Sequence, residues 1–145
     1  MLDMKKLIAK LLHKVDTAEF YGHPQGASLS NYSLASGTSW VRVGQITLPK
    51  GVWLIRVGVA FPANATGRRM ITLSNSSATA GGGIDTESAQ AVNGYNTNLQ
   101  IVTFRVLTAS TTLYINAVQN SGSTLSLTIR YTAWRISSDI DRLDE

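Results

Sequence analysis

The first fifteen residues follow a different hydrophobic pattern from the rest of the chain. In the stretch MLDMKKLIAKLLHKV, apolar residues recur at three- and four-residue spacing, which places them on one face of a helix. Asp3 precedes this stripe and is the predicted N-cap. A helix of about a dozen residues is only marginally stable alone, so we expect the stripe to be buried against another surface. The stripe consists of Met4, Leu7, Ile8, Leu11, Leu12 and Val15.

From residue 39 onward, apolar and polar residues alternate, which is typical of β-strands. The run VWLIRVGVAF at 52–61 is the longest, and both of its faces are largely apolar. Short turns at 109–111 and 120–123 suit hairpins. About eight such strands predict an all-β fold, a jelly-roll β-sandwich. Predicted strands besides 52–61 cover 39–48, 68–73, 100–107, 112–118 and 124–136.

Alternation also predicts which strand residues face the core. The segment 74–98 has no such alternation and is small and polar, so we interpret it as a long loop that has a use of its own or contains a partly hidden strand. The predicted core residues are Trp53, Ile55, Val57, Val59 and Phe61; Val102, Phe104 and Val106; Leu113, Ile115 and Ala117; and Leu125, Leu127, Ile129 and Tyr131.

The chain divides into four predicted segments. Residues 1–16 form the helix, 17–38 a linker with a possible short strand around 29–34, 39–137 the β-sandwich head, and 138–145 an acidic tail. The linker is rich in Gly, Ser and Asn, and a flexible joint favours a helix that meets copies of itself rather than its own head. We therefore predict a homo-oligomer, most simply a trimer with a helical neck.

Composition narrows the possible chemistry. The sequence has no cysteine, which excludes disulfides, thiolate metal sites and a cysteine nucleophile. Neither His13 nor His23 has a metal-ligand companion at a useful spacing. Paired carboxylates for glycoside cleavage would have to come from Asp85 and Glu87 in the predicted loop. We therefore predict a protein that is not an enzyme and that holds no metal and no cofactor.

Charge is unevenly distributed along the chain. The net charge is +4, and residues 20–138 contain eight lysines and arginines against two acids. Arg42, Arg56, Arg105 and Arg130 lie in the middle of predicted strands, and the last three point away from the predicted apolar face of their strand. Such arginines are solvated, or contact a neighbouring subunit, or present a positive field to an anionic ligand.

Several partners are excluded by pattern. The basic residues accompany no aromatic-interleaved motif or recognition helix, so we predict no nucleic-acid partner. Lys10 and Lys14 interrupt the opening apolar run, and no segment is long enough to span a bilayer, so we predict neither a signal peptide nor a membrane partner.

Candidate binding residues fall into two groups. Tyr95, in NGYN of the long polar segment, is the best aromatic candidate for a ligand contact, and Trp134 is out of phase with its core neighbours. The full set of predicted ligand contacts is Tyr95, Asp85, Glu87, Trp134, Arg68 and Arg69. The predicted oligomer interface consists of Met4, Leu7, Ile8, Leu11, Leu12, Val15, Leu54, Arg56, Arg105 and Arg130.

The layout of the chain resembles a known class of protein. The leading DMKKLIAKLL helix, the Gly/Ser/Asn linker, the LPKGVWLIRVGVAF block and the closing LTIRYTAWRI strand resemble small tail or baseplate proteins of phages that infect Gram-positive bacteria. The LPKGVW turn before a long apolar strand also resembles the trimeric jelly-roll heads of complement-type and tumour necrosis factor-like proteins.

The phage resemblance implies a trimeric receptor-binding head on a virion tail or baseplate, assembled in the host cytoplasm. Its ligand would be a cell-wall saccharide or teichoic-type polymer, and its helix would dock onto another virion protein. Two alternatives stay open: a purely structural virion or decoration protein without a ligand, and a secreted tumour necrosis factor-like signalling head.

Overall fold

The computed structural model describes residues 3–9, 26–78 and 83–137. These residues form a short helix, α1, over residues 4–9, followed by eight strands. The strands are β1 (Gly26–Leu34), β2 (Val41–Leu48), β3 (Gly51–Phe61), β4 (Arg68–Ser74), β5 (Gly83–Gln90), β6 (Thr97–Leu107), β7 (Thr111–Gln119) and β8 (Leu125–Ser137).

The strands form two four-stranded antiparallel sheets. Sheet A has the order β1-β8-β3-β6, and sheet B has the order β2-β7-β4-β5. Consecutive strands therefore lie in opposite sheets, apart from the β4–β5 pair. This arrangement is a jelly roll, so the predicted fold class is confirmed. The predicted hairpins at 109–111 and 120–123 are wrong, because the short β6–β7 and β7–β8 turns cross between sheets.

The core lies between the two sheets and is centred on β3, which pairs with β6 on one side and β8 on the other. The inward face predicted for β3 is confirmed: Trp53, Ile55, Val57, Val59 and Phe61 are all buried. The inward residues predicted for β7 and β8 are confirmed as well, with Tyr131 partly buried at the margin of the core. A central strand covered on one face and flanked on both edges is expected to be this apolar.

The inward face predicted for β6 is wrong. Val102 and Phe104 are 58% and 54% exposed, and Val106 packs outside the core, while Leu99 and Ile101 are buried in it. Both faces of this strand carry apolar residues, so alternation alone does not distinguish them. The side chain of every residue on β6 therefore points to the opposite side from the prediction.

The long polar segment 74–98 contains a strand, β5, as in the second of its two interpretations. β5 pairs with β4 at the edge of sheet B. Asp85 and Glu87 therefore lie on a strand and not in a loop. Their strand escaped prediction because Ile84 and Ala89, which pack against the core, are five residues apart in GIDTESAQ and do not alternate with its polar residues.

The helix rests on the sandwich of its own chain. Asp3 caps it, with its carboxylate accepting from the backbone N–H of Lys5 at 2.9 Å. Leu7 is 4% exposed and packs against Val52 and Ile136 on the outer face of sheet A. The expectation that the stripe finds no burial within its own chain is therefore wrong for Leu7.

The remainder of the stripe is not buried by its own head or lies outside the described residues. Met4 and Ile8 are 60% and 50% exposed. Leu11, Leu12 and Val15 lie outside the described residues, as does the acidic tail 138–145. The strand expected around 29–34 is present as β1, which pairs with β8 from Gly26 onward, so the sandwich begins inside the segment predicted as linker.

Candidate functional site

The outer face of sheet A divides into two halves along its strands. The apolar half lies where the helix packs, and it consists of Val52, Leu54, Phe104, Val106, Trp134 and Ile136. Further along the same strands lies a groove, here called the basic groove. Its outward-facing lining consists of Arg56, Gly58, Ala60, Asn98, Gln100, Thr128, Arg130 and Thr132.

The basic groove owes its depth to a missing side chain. Gly58 lies on β3 in register with Gln100 on one side and Arg130 on the other. Because Gly58 has no side chain, the two longer neighbours stand as walls around a depression of about 530 Å³. A Cβ on Gly58 would meet only the Gln100 side chain, at 4.0 Å. The backbone conformation at Gly58 does not require glycine. The effect of the glycine is therefore to leave the floor of the groove open.

The basic groove is positively charged. Arg56 and Arg130 are exposed. The carboxylates among the described residues belong to Asp3, Asp85 and Glu87, and none of these lines the groove.

Neutral donors and acceptors complete the lining of the basic groove, namely the amides and hydroxyls of Asn98, Gln100, Thr128 and Thr132. Guanidinium groups bind phosphate and carboxylate oxygens, often in bidentate fashion, and amides and hydroxyls can bind sugar hydroxyls. The groove is thus suited to a polar anion.

Tyr95 lies in the turn between β5 and β6, three residues before Asn98 of the groove lining, and is 71% exposed. The turn is held by hydrogen bonds from the Tyr95 N–H to the Val92 carbonyl at 3.2 Å and from the Ala63 N–H to the Asn96 side chain at 2.9 Å. A fixed, exposed aromatic ring is compatible with the predicted ligand contact, but it lies outside the groove lining.

Arg68 and Arg69 are adjacent in sequence but differ in availability. Arg68 is exposed at the start of β4, where its guanidinium donates to the Ser88 hydroxyl at 3.0 Å. Arg69 is fully buried, and its guanidinium donates to the Thr66 carbonyl at 2.7 Å and the Asn64 carbonyl at 3.2 Å. Burial lowers the pKa of the Arg69 guanidinium. Arg69 therefore anchors the β3–β4 loop and is not accessible to a ligand.

The other predicted ligand contacts are also dispersed. Trp134 is half-buried in the apolar half of sheet A, and Asp85 and Glu87 lie on the edge strand of sheet B. The structure does not bring the predicted ligand residues into one site. The residues of the basic groove were missed as a site because they come from three strands that pair only in the folded sheet.

The arginines of the predicted oligomer interface also lie on different sides of sheet A. Arg56 and Arg130 lie on the outer face, as predicted. Arg105 does not, because the reversed orientation of β6 turns it to the inner side, in register with Trp53. Leu54 is half-buried beside the helix.

A buried amide fixes the loops at the end of the sandwich where Tyr95 lies. The Gln119 side chain donates to the Leu34 carbonyl at 3.0 Å and the Ser123 carbonyl at 2.7 Å, and it accepts from the Ser121 N–H at 2.8 Å. Gly67 passes so close to the Asn120 carbonyl that any Cβ would collide with it, and its φ of 82° favours glycine. The β1–β2, β3–β4 and β7–β8 loops therefore have a defined arrangement.

The described ranges contain neither a metal-binding cluster nor a membrane-spanning helix. No group of three or more His, Cys, Asp or Glu residues in residues 3–9, 26–78 and 83–137 could hold a metal ion. Within the same ranges, no helix has the length and hydropathy needed to cross a membrane.

Comparison with known proteins identifies the fold and no family. No protein-family model matches the sequence, and no curated protein matches it. The globular domain of zebrafish complement 1qA protein matches with a TM-score of 0.54 at 11% identity, over 79% of this chain and 98% of that one. At this identity, the similarity shows the fold alone.

Two further solved structures match with TM-scores below 0.5. VP2 of the infectious bursal disease virus subviral particle matches with a TM-score of 0.43 at 11% identity, over 79% of this chain and 34% of that one. A carbohydrate-binding module of Cellvibrio mixtus lichenase 5A, solved with cellotriose, matches with a TM-score of 0.38 at 19% identity, over 79% and 92%.

Proposed function

We propose that this protein is a non-enzymatic binding head that recognises an anionic surface polymer, such as a phosphate-bearing cell-wall polymer, through the basic groove of sheet A. The observation that carries the proposal is the groove itself, in which Arg56 and Arg130 flank a floor opened by Gly58. No described carboxylate neutralises these arginines from within the lining.

The chemistry of the lining favours a charged polymer over a neutral one. Arg56 and Arg130 lie on neighbouring strands, two residues out of register, so their side chains are spaced along the groove. A linear polymer with regularly spaced phosphates can contact both, while its sugar or polyol units meet the Gln100 and Thr128 side chains. A shallow, solvated site of this kind binds weakly per head, so assembly of several heads would raise the apparent affinity.

The groove can be tested by filling it. The Gly58→Trp variant places a large ring on the groove floor, with only the flexible Gln100 side chain within 4 Å of the new Cβ. We expect it to lose binding to a glycerol phosphate polymer, measured by isothermal titration calorimetry at low salt, while its circular dichroism spectrum is retained. Gly37→Trp is the matched control, because Gly37 lies in the β1–β2 loop with open space around it.

Two results would overturn the groove as the binding site. One is retention of full binding by Gly58→Trp, and the other is equal loss in Gly37→Trp. Binding of the native chain should also weaken steeply as salt is raised, because exposed charges are screened. A neutral glucan bound as tightly as the phosphate polymer, and insensitive to salt, would contradict the anionic ligand.

We further propose that the head is a homo-oligomer, most simply a trimer, carried on a phage virion. The apolar half of sheet A supports self-association, because Phe104 remains exposed beside a helix whose Met4 and Ile8 are also exposed. The sequence resemblance to tail and baseplate proteins suggests the virion and a docking role for residues 1–16. Light scattering of the full chain tests the oligomer, and a single-chain mass at micromolar concentration would contradict it.

Assembly on a virion without any ligand is the second candidate, and the exposed apolar helix residues favour it. Deletion of residues 1–16 should then abolish incorporation into particles, while Gly58→Trp should leave infectivity unchanged. If the head binds a receptor, Gly58→Trp particles should assemble normally but fail to adsorb. The two functions therefore give opposite results with the same variant.

A further inference from the structure

A second group of cations lies at the end of the sandwich opposite Tyr95, on the inner side of sheet A. Trp53 is in register with Arg105 on β6 and with Arg135 on β8. The three side chains form one cross-strand row, with the buried indole in the middle and a half-buried arginine on either side. The β2–β3 turn adjoins this row through the backbone carbonyls of Pro49 and Lys50.

The row is rigid at its centre. The Trp53 indole donates to the Pro49 carbonyl at 3.0 Å, which fixes the ring against the turn. The Arg135 guanidinium lies over that ring, 5.7 Å from its centroid, and donates to the Lys50 carbonyl. Arg135 is therefore held in place by its own chain, and one of its donors is occupied.

Other donors of the row have no acceptor. The Nε atoms of Arg105 and Arg135 are both buried without a hydrogen-bond partner. A buried donor without a partner is costly, and native structures usually supply an acceptor, an ordered water or a ligand. The described carboxylates lie elsewhere: Asp3 caps the helix, and Asp85 and Glu87 are on β5 of sheet B, in register with Leu73 and Ile71 of β4.

We propose that Arg105 and Arg135 form an oxyanion-binding site that is separate from the basic groove. Its ligand is a carboxylate or phosphate group, which matches the planar fork of a guanidinium. Strands on either side of β3 lie roughly 10 Å apart at the backbone, a distance that two arginine side chains span when they converge on one small anion. The site is independent of the function proposed for the groove.

The oxyanion has two possible sources, which share this chemistry. One is the chain itself, since Asp139 and Asp141 follow Arg135 by four and six residues. Because β8 ends at Ser137, an extended segment from there to Asp139 or Asp141 would span about 7–14 Å at about 3.4 Å per residue, enough to return to the row two residues before the end of the strand. The other source is a free or polymer-borne phosphate from outside. Removal of the two tail carboxylates distinguishes these sources.

The site can be observed through its own nitrogens. In full-length protein labelled with ¹⁵N, inorganic phosphate should shift the Nε–H resonances of Arg105 and Arg135 saturably, beyond the effect of sodium chloride at equal ionic strength. Arg69 is the internal control, because its Nε is also buried and unpartnered but its guanidinium is closed off by the Thr66 and Asn64 carbonyls. Its resonance should not move.

Variants test the geometry and the source. Arg105→Lys keeps the charge but removes the fork, and should weaken phosphate binding by about tenfold, the loss of one good charge-assisted hydrogen bond. The Trp53 indole N–H resonance reports that the fold around the row is intact. In full-length Asp139→Asn/Asp141→Asn, phosphate should bind several-fold more tightly if the tail occupies the site, and equally tightly if the ligand is external.

The outcomes are distinct from those of the groove experiment. A phosphate-specific shift of Arg105 and Arg135 supports the site, whichever source the tail variant identifies. The absence of such a shift in both the native chain and the tail variant overturns it. Gly58→Trp should leave the response of these arginines unchanged, so failure of the groove and failure of this site are separable.

Discussion

The two halves of the outer face of sheet A are built from the same three strands, yet they present opposite chemistry. On β3 the change occurs within two residues, between Leu54 and Arg56, and on β8 between Trp134 and Thr132. The apolar half receives the helix, whereas the basic groove is left open. The difference shows that alternation along a strand identifies a face, while the position along that face decides what it can bind.

The helix makes the two halves differ in how much they contribute to stability. Leu7 covers Val52 and Ile136, so part of the apolar half is buried like a core, although it lies outside the sandwich. The basic groove has no such cover in the described residues and keeps its arginines in contact with solvent. Substitutions at equivalent positions in the two halves should therefore have very different consequences.

The largest effect is expected for a charge placed under the helix. Val52→Asp buries a carboxylate beneath Leu7 and should lower the free energy of unfolding by about 3 kcal/mol or more. Ala60→Asp is the matched control on the same face of β3, at the groove end, and should cost about 1 kcal/mol or less because Ala60 is half-exposed. Urea denaturation measures both, and equal losses would contradict the division into two halves.

A smaller effect is expected when the helix contact is trimmed. Leu7→Ala should lower the free energy of unfolding by about 2 kcal/mol, at the lower end for a buried leucine because the helix is at the periphery. Ile8→Ala, on the exposed side of the helix, should change it by less than about 0.5 kcal/mol. Hydrogen exchange of the Leu7 amide, which donates to the Asp3 carbonyl, should speed up only in Leu7→Ala. Equal exchange in the two variants would show that Leu7 does not dock the helix.

The groove arginines should determine how strongly polymer binding depends on salt. By analogy with single-stranded polyanions, each lost phosphate contact reduces the slope of log affinity against log salt by about 0.7. Arg56→Gln/Arg130→Gln should therefore lower the slope by about 1.4. Arg42 is exposed on β2 of sheet B, so Arg42→Gln should leave the slope unchanged. Titration of the glycerol phosphate polymer at several salt concentrations gives the slopes, and a change with Arg42→Gln alone would exclude the groove.

The smallest effect on stability is expected for the exposed aromatic of the apolar half. Phe104→Ser should change the free energy of unfolding by less than about 0.5 kcal/mol, because the ring is more than half exposed. If copies associate through this half, the particle mass in light scattering should fall. Val92→Ser, which removes an exposed apolar residue at the opposite end, should leave the mass unchanged. If the particle mass falls only with Val92→Ser, the interface lies at the end of the sandwich that carries the β5–β6 turn.

Much of the fold could be predicted where the two faces of a strand differ. β8 alternates between core residues such as Leu127 and outward residues such as Arg130, and its orientation was predicted correctly. β6 was predicted from residue 100, which omitted Leu99, one of the residues that identify its inner face. The sequence does not show which sheet each strand joins, because a short turn can either close a hairpin or cross between sheets.

The site was predictable only in part. Arg56 and Arg130 stood out as outward-facing charges, and the structure confirms that they lie on one face. The sequence does not indicate that Gly58 lies beside Arg130, since their register depends on the pairing of β3 with β8. Tyr95 was identified from its position in NGYN of the long polar segment, which is a local property of the sequence, whereas the groove is a property of three paired strands.

The polypeptide enters and leaves the sandwich at one pole. Gly26, at the start of β1, lies opposite Ala133 near the end of β8, while the β1–β2, β3–β4, β5–β6 and β7–β8 connections lie at the other pole. A segment joined directly to the start of β1 or to the end of β8 is thereby attached away from that second pole. The exposed turn around Tyr95, at the second pole, can accept new sequence without disturbing the segments attached at the first pole. The binding specificity of the fold can therefore be changed by exchange of a few loop residues.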